Sequence, residues 1–307
     1  MTHQPPNQDP APQPPPGEPD RPIPAVLREI VAAKLEEVER AKVRTPLKEL
    51  EALVAQEDPP RNFFRAVTRP TTQSPNHPTK NTAIIAEIKR RSPSAGLIRP
   101  EYDGEDFKPE LIAQAYFRNG ASAISCLTDE KFFGGHLAFI HRIKAAMPLP
   151  VLRKDFLIHP YQLWESRASG ADAVLLIAEC LPEALMVDML ILAQQLQLTV
   201  LLEVHSMDNL LRVRPHIGFP HPAYCLLGIN NRDLDTMAVD LGHTLRLVDL
   251  VDDRSVLVSE SGIQTPDHLA RLAEESVHTV LVGEHLMKHP SPGHALAELL
   301  GREPVED

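Results

Sequence analysis

The chain has 307 residues, 43% of them hydrophobic, and a formal net charge of −11 at pH 7. This length allows one large α/β domain or two small ones with buried cores. The acidic balance argues against nucleic acid or an anionic membrane as the main partner, although a local cluster of Lys and Arg can still bind a small anion.

The cysteines and the start of the chain predict a cytoplasmic protein. Cys126, Cys180 and Cys225 are far apart and lie in or beside apolar runs. Isolated, buried thiols of this kind are typical of proteins that stay reduced in the cytoplasm. No apolar run is long enough to span a bilayer, and the N-terminus lacks the hydrophobic segment of a signal peptide.

The first 82 residues are expected to lie outside the main domain. Residues 1–22 contain nine prolines, which predicts a disordered tail, and an inert tail is favoured over a recognition peptide. Residues 23–82 are predicted to form a helical extension and a connecting loop. Helices are expected over 24–42 and 46–56, and an irregular connection over 58–82. The apolar stripe of the first helix consists of Leu27, Ile30, Val31, Leu35 and Val38.

Residues 83–307 alternate short β-like runs with helical patterns, which predicts an α/β fold. Eight strands, each followed by a helix, predict a (β/α)8 TIM barrel as the catalytic domain. An open doubly wound sheet is less favoured because no glycine-rich dinucleotide turn follows the first strand. The strands are expected to begin near Ala83, Ala123, Val151, Ala173, Thr199, Tyr224, Ser255 and Thr279. The helices are expected over 109–119, 137–146, 160–169, 182–196, 207–214, 243–251, 266–275 and 293–300.

Charged side chains end the apolar runs at five of these strands. A charge at the exit of a buried strand is costly unless it is paired or used. One Glu in such a place is more often a structural ion pair, but several together favour one polar site on the C-terminal face of the barrel. Three acids and three bases are expected to interlock there, namely Glu87, Glu203, Glu260, Lys89, Lys154 and Arg232.

The last two strands are followed by glycines that indicate a phosphate site. Gly262 and Gly283 each come after a strand and before a helix. Glycine lets backbone N–H groups approach an anion, and the loops after strands seven and eight are the usual phosphate site of this barrel. The basic turn over 90–96 is expected either to close over an anion or to be an ordinary solvated turn.

Other polar and aromatic residues near the exits are expected to be structural or to line the site. Alternation along the strand places Arg153 and Asp155 on the helix-facing side. His205 is expected to point away from Glu203, so a ligand role is not predicted. The fourteen histidines show no metal-binding spacing, so neither a metal nor a cofactor is predicted. Two aromatic residues, Phe133 and Phe156, lie beside the strand exits. They are expected either to form an apolar wall for a planar ring or to be ordinary packing residues.

The blocks at these exits resemble those of the indole-3-glycerol phosphate synthase family. The resemblance covers about residues 24–300, including the extra N-terminal helix, and the blocks are long, ordered and specific to that family. They are AEIKRRSPSAG (86–96), LTDEKFF (127–133), LRKDF (152–156), GINNRDL (228–234) and SESGI (259–263).

This resemblance implies a carboxy-lyase of tryptophan biosynthesis. The enzyme would convert 1-(2-carboxyphenylamino)-1-deoxyribulose 5-phosphate to indole-3-glycerol phosphate, with loss of CO2 and water. No cofactor or metal is implied, and the only partner is the small phosphorylated substrate. The chain is expected to be a monomer or a weak homo-oligomer.

The family pattern also implies roles for the site residues. Lys154 would be the general acid that protonates the substrate ketone, and burial with neighbouring charge is expected to keep its pKa useful. Lys89 would hold the anionic substrate and share the proton work. Glu203 would act in the dehydration, and Glu87 would orient the lysines. The implied substrate-binding residues are Ser92, Phe133, Asn230, Arg232, Glu260, Ser261, Gly262, Gly283 and Glu284.

Two positions depart from the family pattern. The loop at Gly134 and Gly135 lacks the Asn or Gln that often follows the aromatic residue, and it is expected to be more flexible. Glu284 stands where some relatives have serine, so only its backbone N–H is expected to serve a phosphate. The alternative functions are another phosphate-binding barrel, such as phosphoribosylanthranilate isomerase, and a catalytically silent ligand-binding barrel.

Overall fold

A closed barrel of eight parallel strands forms the centre of the protein. The computed structural model describes residues 24–68, 82–93, 95–104 and 107–306. The predicted tail over 1–22 therefore lies outside the described residues. The barrel strands are β1 (Ala83–Ile88), β4 (Ala123–Leu127), β5 (Val151–Lys154), β6 (Ala173–Ile177), β7 (Thr199–Val204), β8 (Cys225–Asn230), β9 (Leu257–Glu260) and β10 (Thr279–Val282). A small hairpin, β2 (Arg91–Ser92) and β3 (Gly96–Leu97), follows the first of them.

Helices surround the barrel and extend it at the N-terminus. They are α1 (Ala25–Arg44), α2 (Leu47–Val54), α3 (Phe63–Thr68), α4 (Pro109–Arg118), α5 (Phe139–Ala146), α6 (Pro160–Ala168), α7 (Glu183–Gln195), α8 (Met207–Val213), α9 (Gly242–Leu247), α10 (Pro266–Glu274), α11 (Glu284–Lys288) and α12 (Pro292–Leu299). The predicted TIM barrel with an extra N-terminal helical segment is thus confirmed. No helix in the described part of the chain is long and apolar enough to cross a membrane.

The barrel strands form because they are almost continuously apolar. Such strands are buried on both faces, by the barrel interior and by the surrounding helices. All six residues of β1 and all six of β7 are buried. The predicted strand starts are correct within two residues. β8 and β9 begin later than predicted, because Pro222–Tyr224 and Arg254–Val256 form short 3-10 turns in front of them.

The strand register places the polar residues at the C-terminal strand ends at a similar height along the barrel axis. Glu203 on β7 is opposite Gly228 on β8, and Asn230 at the end of β8 is opposite Glu260 at the end of β9. Lys154 at the end of β5 is opposite Leu127 at the end of β4. Since all strands are parallel, these exits share the C-terminal face of the barrel, where TIM barrels carry their sites.

The expected irregular connection over 58–82 is wrong in part, because α3 lies within it. Phe63 and Val67 on this short helix are 0% and 1% exposed. The carbonyl of Val67 accepts a hydrogen bond of 3.0 Å from the Thr279 hydroxyl at the start of β10. The helix therefore covers the N-terminal end of the barrel. Burial of its two large apolar side chains stabilises a segment whose composition alone indicates a loop.

The buried stripe of α1 differs from the predicted stripe at one turn. Leu35 is 38% exposed, whereas Lys34 is fully buried. The Lys34 ammonium lies 2.8 Å from Asp155 and 3.0 Å from Asp129, and Glu37 completes the ion-pair cluster at 2.9 Å. Both aspartates follow barrel strands, so this cluster fastens α1 across the C-terminal face. Burial opposes the ionised form of Asp155, but Lys34 and Arg153 outweigh it and keep the pKa of that carboxyl below its usual range.

Candidate active site

A cavity of about 300 Å³ opens at the C-terminal ends of the barrel strands. Its walls come from the strand exits, from the loops that follow them and from the first turns of α1. The structure brings all of the predicted site residues to this cavity. They are Glu87, Lys89, Ser92, Phe133, Lys154, Glu203, Asn230, Arg232, Glu260, Ser261, Gly262, Gly283 and Glu284.

Lys154 lies between two carboxyl groups at the base of the cavity. Its Nζ is 3.1 Å from Glu203 Oε2 and 3.6 Å from Glu260 Oε2. Burial acts to lower the pKa of Lys154, but the carboxylates of Glu203, Glu260 and Glu87 outweigh it and raise the pKa above its usual value. Lys154 is therefore a fully protonated ammonium at neutral pH. Its neighbour Arg153 points outward to Glu165 on α6, at 2.9 Å, as the strand alternation predicts.

The two carboxyl groups around Lys154 differ in charge. Burial raises the pKa of Glu260 well above its usual range, and repulsion from Glu203 adds to the shift. Burial also opposes ionisation of Glu203, but the cations of Lys154 and His205 outweigh it and hold the pKa of Glu203 well below the usual range. Glu203 is therefore a carboxylate and Glu260 a neutral acid, because two buried like charges in contact cannot both be stable.

A second ion pair lies at the end of β1. Lys89 Nζ is 2.7 Å from Glu87 Oε1, and the two side chains are 14% and 5% exposed. Gly283 is required here for a reason that the sequence does not reveal: a Cβ atom at this position would overlap the Glu87 carboxylate. The glycine thus makes room for Glu87, whatever its backbone N–H also contacts.

Polar contacts connect the loops after β8, β9 and β10. Ser261 Oγ donates to Asn230 Oδ1 at 2.8 Å, and Asn230 Nδ2 donates to Glu203 Oε1 at 3.2 Å. Arg232 pairs with Glu284 at 3.2 Å across the cavity mouth. These contacts orient donors and one guanidinium toward the space that a substrate would fill.

The two predicted glycine junctions have different geometries. Gly283 is the N-cap of the five-residue helix α11. Gly262 does not directly precede a helix, because α10 begins only at Pro266. Instead, Ser261 and Gly262 have φ angles of 67° and 82°, which turn the chain sharply after β9. Glycine adopts this left-handed region without strain.

The cavity also has an apolar wall and roof. The rings of Phe133 and Phe156 lie with their centroids 6.0 Å apart. Val26, Leu27 and Ile30 of α1, the helix anchored across the C-terminal face by Lys34, form the roof. A planar aromatic group would find apolar contacts here, above the charged base of the cavity.

The basic turn after β1 holds Arg90 against neighbouring loops and places its next residues at the edge of the cavity. The Arg90 guanidinium donates hydrogen bonds to the carbonyls of Gly134 and Gly104 and lies over the Phe107 ring. It therefore connects surface loops and does not line the cavity. Ser92 and Pro93 supply the edge of the cavity instead.

His205 was placed wrongly by the sequence. Its Nε2 lies 3.1 Å from Glu203 Oε1, and it lines the cavity. The expectation that it faces away fails because residues two apart on a strand share a face, so the alternation itself could have found it. Among the described residues, no three His, Cys, Asp or Glu side chains are grouped so that they could hold a metal ion.

The arrangement is suited to proton transfer on an anionic substrate. It offers two ammonium groups, ionised and neutral carboxyl groups, and neutral donors within one small cavity. The His205 imidazole and the Arg232 guanidinium add two further positive groups. Such matched acids and bases, partly shielded from water, are the usual means of general acid–base catalysis.

Solved structures of other proteins share the barrel fold. A mutant α-subunit of tryptophan synthase from Pyrococcus furiosus superposes with a TM-score of 0.54 at 13% identity, covering 72% of this chain and 98% of that one. The 3-hexulose-6-phosphate synthase of Salmonella typhimurium superposes with a TM-score of 0.55 at 13% identity, covering 71% and 97%. At this identity the likeness shows the fold alone.

Sequence similarity is far more specific. The indole-3-glycerol phosphate synthase of Acidithiobacillus ferrooxidans is 44% identical over 274 residues, 89% of this chain and 98% of that protein. The enzyme of the same name from Rhodospirillum rubrum is 41% identical over 276 residues, 90% and 99% of the two chains. The family model "Indole-3-glycerol phosphate synthase" matches residues 27–299, from the roof helix to the last helix of the barrel. On both counts this chain belongs to the indole-3-glycerol phosphate synthase family.

Proposed function

We propose that this protein closes the indole ring of indole-3-glycerol phosphate. The substrate is 1-(2-carboxyphenylamino)-1-deoxyribulose 5-phosphate, and CO2 and water leave during the reaction. The observation that carries the assignment of roles is the Lys154 ammonium, held 3.1 Å from an ionised Glu203 at the base of an apolar-walled cavity. The ketone of a substrate bound there would lie near a proton donor. The aromatic ring of the substrate would contact Phe133 and the roof formed by α1.

In the proposed ring closure, Lys154 is the general acid. The aromatic carbon that bears the carboxylate attacks the ketone carbon, and Lys154 protonates the ketone oxygen as the carbon–carbon bond forms. Loss of CO2 then returns the bonding electrons to the ring. Lys89, fixed by Glu87 at 2.7 Å, offers the charge that binds the substrate carboxylate before it leaves.

The dehydration needs a base and a proton for the departing hydroxyl group. Glu203, which is ionised at neutral pH, is the base in this proposal and takes a proton from the ring carbon next to the one that carries the hydroxyl group. The Lys89 ammonium protonates that hydroxyl group, which leaves as water. Glu260, whose pKa is raised by burial and by Glu203, keeps its proton and limits the negative charge around the substrate. Asn230 and Ser261, hydrogen-bonded to each other at 2.8 Å, would contact the sugar hydroxyl groups.

The phosphate is proposed to lie at the mouth of the cavity, beside the loops after β9 and β10. The backbone N–H groups near Gly262 and Gly283 and the Arg232 guanidinium would bind it. Glu284 also lines this part of the cavity, and its carboxylate occupies Arg232 at 3.2 Å. Phosphate binding would therefore compete with an ion pair inside the protein.

The purified full-length protein tests the function directly. We expect the fluorescence of indole-3-glycerol phosphate to appear on addition of the substrate, together with stoichiometric CO2. Formation of the substrate from its phosphoribosyl precursor, without CO2, would instead identify a phosphoribosylanthranilate isomerase. Binding without any product would identify a catalytically silent barrel.

Two truncations test the proposed role of α1. Deleting residues 1–22 should leave kcat and KM unchanged, because the family match starts beyond this segment. Deleting residues 1–45 removes α1 and with it the roof residues Val26, Leu27 and Ile30. This variant should have a raised KM and a lower urea midpoint, measured by steady-state kinetics and equilibrium unfolding. Equal KM values in both truncations would exclude the roof from the substrate site.

Replacing Glu284 with serine tests the placement of the phosphate. Burial opposes ionisation of Glu284, but Lys288, Lys89 and Arg232 keep its pKa below the usual value, so it is a carboxylate. Removing this charge should strengthen competitive inhibition by inorganic phosphate by about 2- to 5-fold, as expected for a partly exposed charge pair. The control is Glu298→Ser, which removes the same charge from the exposed face of α12. Weaker inhibition in Glu284→Ser would move the phosphate away from this end.

The compartment and the oligomeric state of the enzyme are also part of the proposal. We propose that it works in the cytoplasm as a monomer or a weak homo-oligomer. Its three cysteines are free and buried, which suits a reducing compartment. Sedimentation of the purified protein at several concentrations would measure the oligomeric state.

A further inference from the structure

His205 is held between two carboxylates beside the proposed reaction centre. Its Nε2 lies 3.1 Å from Glu203 Oε1, and its Nδ1 lies 3.3 Å from Glu179 Oε2. The side chains of His205, Glu203 and Glu179 are 8%, 3% and 7% exposed, respectively. The contact with Glu203 has the distance of an ion pair without hydrogen-bond geometry, whereas the contact with Glu179 is also a hydrogen bond. Neither Glu179 nor His205 is needed in the mechanism given above.

Glu179 is itself fixed in place. One of its oxygens, Oε1, accepts hydrogen bonds of 2.9 Å from the backbone N–H of His205 and from the Asn209 side chain. Its other oxygen faces the imidazole. The short turn Ala178–Cys180 after β6 carries this carboxylate, so two neighbouring strand exits build the arrangement together.

The charges around His205 favour its protonated form. Burial acts to lower the pKa of His205, but the carboxylates of Glu179 and Glu203 outweigh it and raise the pKa to about 10. From β9, Glu260 also acts on the imidazole electrostatically. From α9, His243 faces the backbone of His205, and burial lowers its own pKa, so it adds no competing charge at neutral pH.

The two oxygens of Glu203 have separate partners. Oε2 meets the Lys154 ammonium at 3.1 Å. Oε1 meets His205 at 3.1 Å and the Asn230 amide at 3.2 Å. Without the imidazolium, the carboxylate would lose one of its two cations and would share a proton more evenly with Glu260, with which it is in direct contact.

We infer that His205 is a positioning residue of the proposed reaction, an imidazolium that keeps Glu203 ionised and aims it at Lys154, and that Glu179 in turn holds this imidazolium. The inference rests on the proposed function, because it assigns Glu203 to the proton transfers. His205 itself contacts Glu203 and acts through it, so its loss should change kcat more than KM.

The first test replaces His205 with glutamine, which keeps a donor of similar reach but carries no charge. An opposite charge at this distance shifts the pKa of a carboxyl group by about 1–3 units, so its loss should lower kcat roughly 10- to 100-fold while KM changes less than about threefold. The control is His216→Gln. His216 forms a similar pair with Glu183, at 2.9 Å, on the surface between α7 and α8, and its loss should leave both constants unchanged.

The second test removes the charge of Glu179, which faces the side of the His205 imidazole away from Glu203. Glu179→Gln keeps the hydrogen-bonding shape but removes one carboxylate, so the pKa of His205 should fall. Because kcat needs the protonated imidazole, it should decline as pH rises through that pKa. The alkaline midpoint of kcat should therefore lie at least about one pH unit lower in Glu179→Gln than in the wild type. NMR titration of ¹⁵N-labelled histidine, with His205→Gln to assign the signal, measures the same pKa without any catalysis.

The outcomes separate the inference from the function. A wild-type protein that forms no indole-3-glycerol phosphate overturns the proposed function, while the NMR titration still decides whether His205 is protonated between its two carboxylates. An active wild type with an unchanged kcat in His205→Gln overturns the positioning role alone. If His205→Gln does not fold, an alkaline midpoint of kcat that stays in place in Glu179→Gln overturns it.

Discussion

The Lys154→Met variant should lose about 10²–10⁴-fold in kcat, the usual contribution of a positioned general acid. Closing the ring needs a proton on the ketone oxygen, and Lys154 is a fully protonated ammonium at the base of the cavity. Methionine keeps most of the side-chain volume but cannot donate a proton. Glu203 and Glu260 can then share one proton, so the fold should survive. The measurement is steady-state formation of indole-3-glycerol phosphate, with binding of a substrate analogue followed separately.

The matched control for this substitution lies elsewhere in the barrel. Lys144 has a similar exposure, 18% against 15%, and also pairs with one buried carboxylate, Asp172 at 2.6 Å. Asp172 precedes β6 and accepts a hydrogen bond from the N–H of Val151 at the start of β5, so this pair lies at the opposite end of the barrel. Lys144→Met should therefore lower stability without lowering kcat. If Lys154→Met keeps more than about a tenth of the wild-type kcat, the acid is another group, and Lys89 is the next candidate.

The Lys34→Met variant should lose about 3–5 kcal/mol of unfolding free energy, the usual result of removing one partner from a buried ion pair. The substitution leaves Asp129 and Asp155 buried at 0% and 2% exposure without the cation that they share. Since domains are stable by only about 5–15 kcal/mol in total, α1 should detach at low denaturant. KM should rise with it, because α1 forms the roof of the cavity.

The chain contains a natural reporter for this detachment. Trp164 is its only tryptophan and packs on α6 against a small cluster formed by Val38, Ala41, Leu50 and Tyr161. Its fluorescence should therefore change when α1 leaves, before the barrel unfolds. Lys42→Met is the control, because Lys42 lies on the same helix and forms an exposed pair with Glu39 at 2.6 Å. Identical urea midpoints in the two variants would contradict the anchoring role of Lys34.

Acid should weaken the same anchor in the wild type. The folded-state pKa of Asp155 is lowered, with burial opposing and Lys34 and Arg153 favouring the ionised form. Its contribution to stability is therefore present above the unfolded pKa of about 3.9 and is lost as pH falls through the folded value. The Trp164 signal should accordingly change in the acid range in the wild type.

The sequence by itself determined the barrel and most of its site. Eight apolar runs define the strands, five of them end in charged residues, and a period of two assigns each side chain near an exit to one face. This local rule placed Lys154 inside and Arg153 outside, and both positions are confirmed. The same rule places His205, two residues after Glu203, on the face of Glu203, so the expectation that His205 points away was a misapplication of the rule.

Only the tertiary structure decided the features that depend on which elements meet. Lys34 looks like a surface residue of an amphipathic helix until Asp129 and Asp155 approach it from two strand ends. Gly283 indicates an anion site by its position, but the neighbouring strand shows that it also makes room for Glu87. The opposite charge states of Glu203 and Glu260 likewise need the distances to Lys154 and His205. Local pattern fixes which face a side chain occupies, whereas pairing energies depend on distances between residues remote in the chain, and these exist only once the barrel has closed.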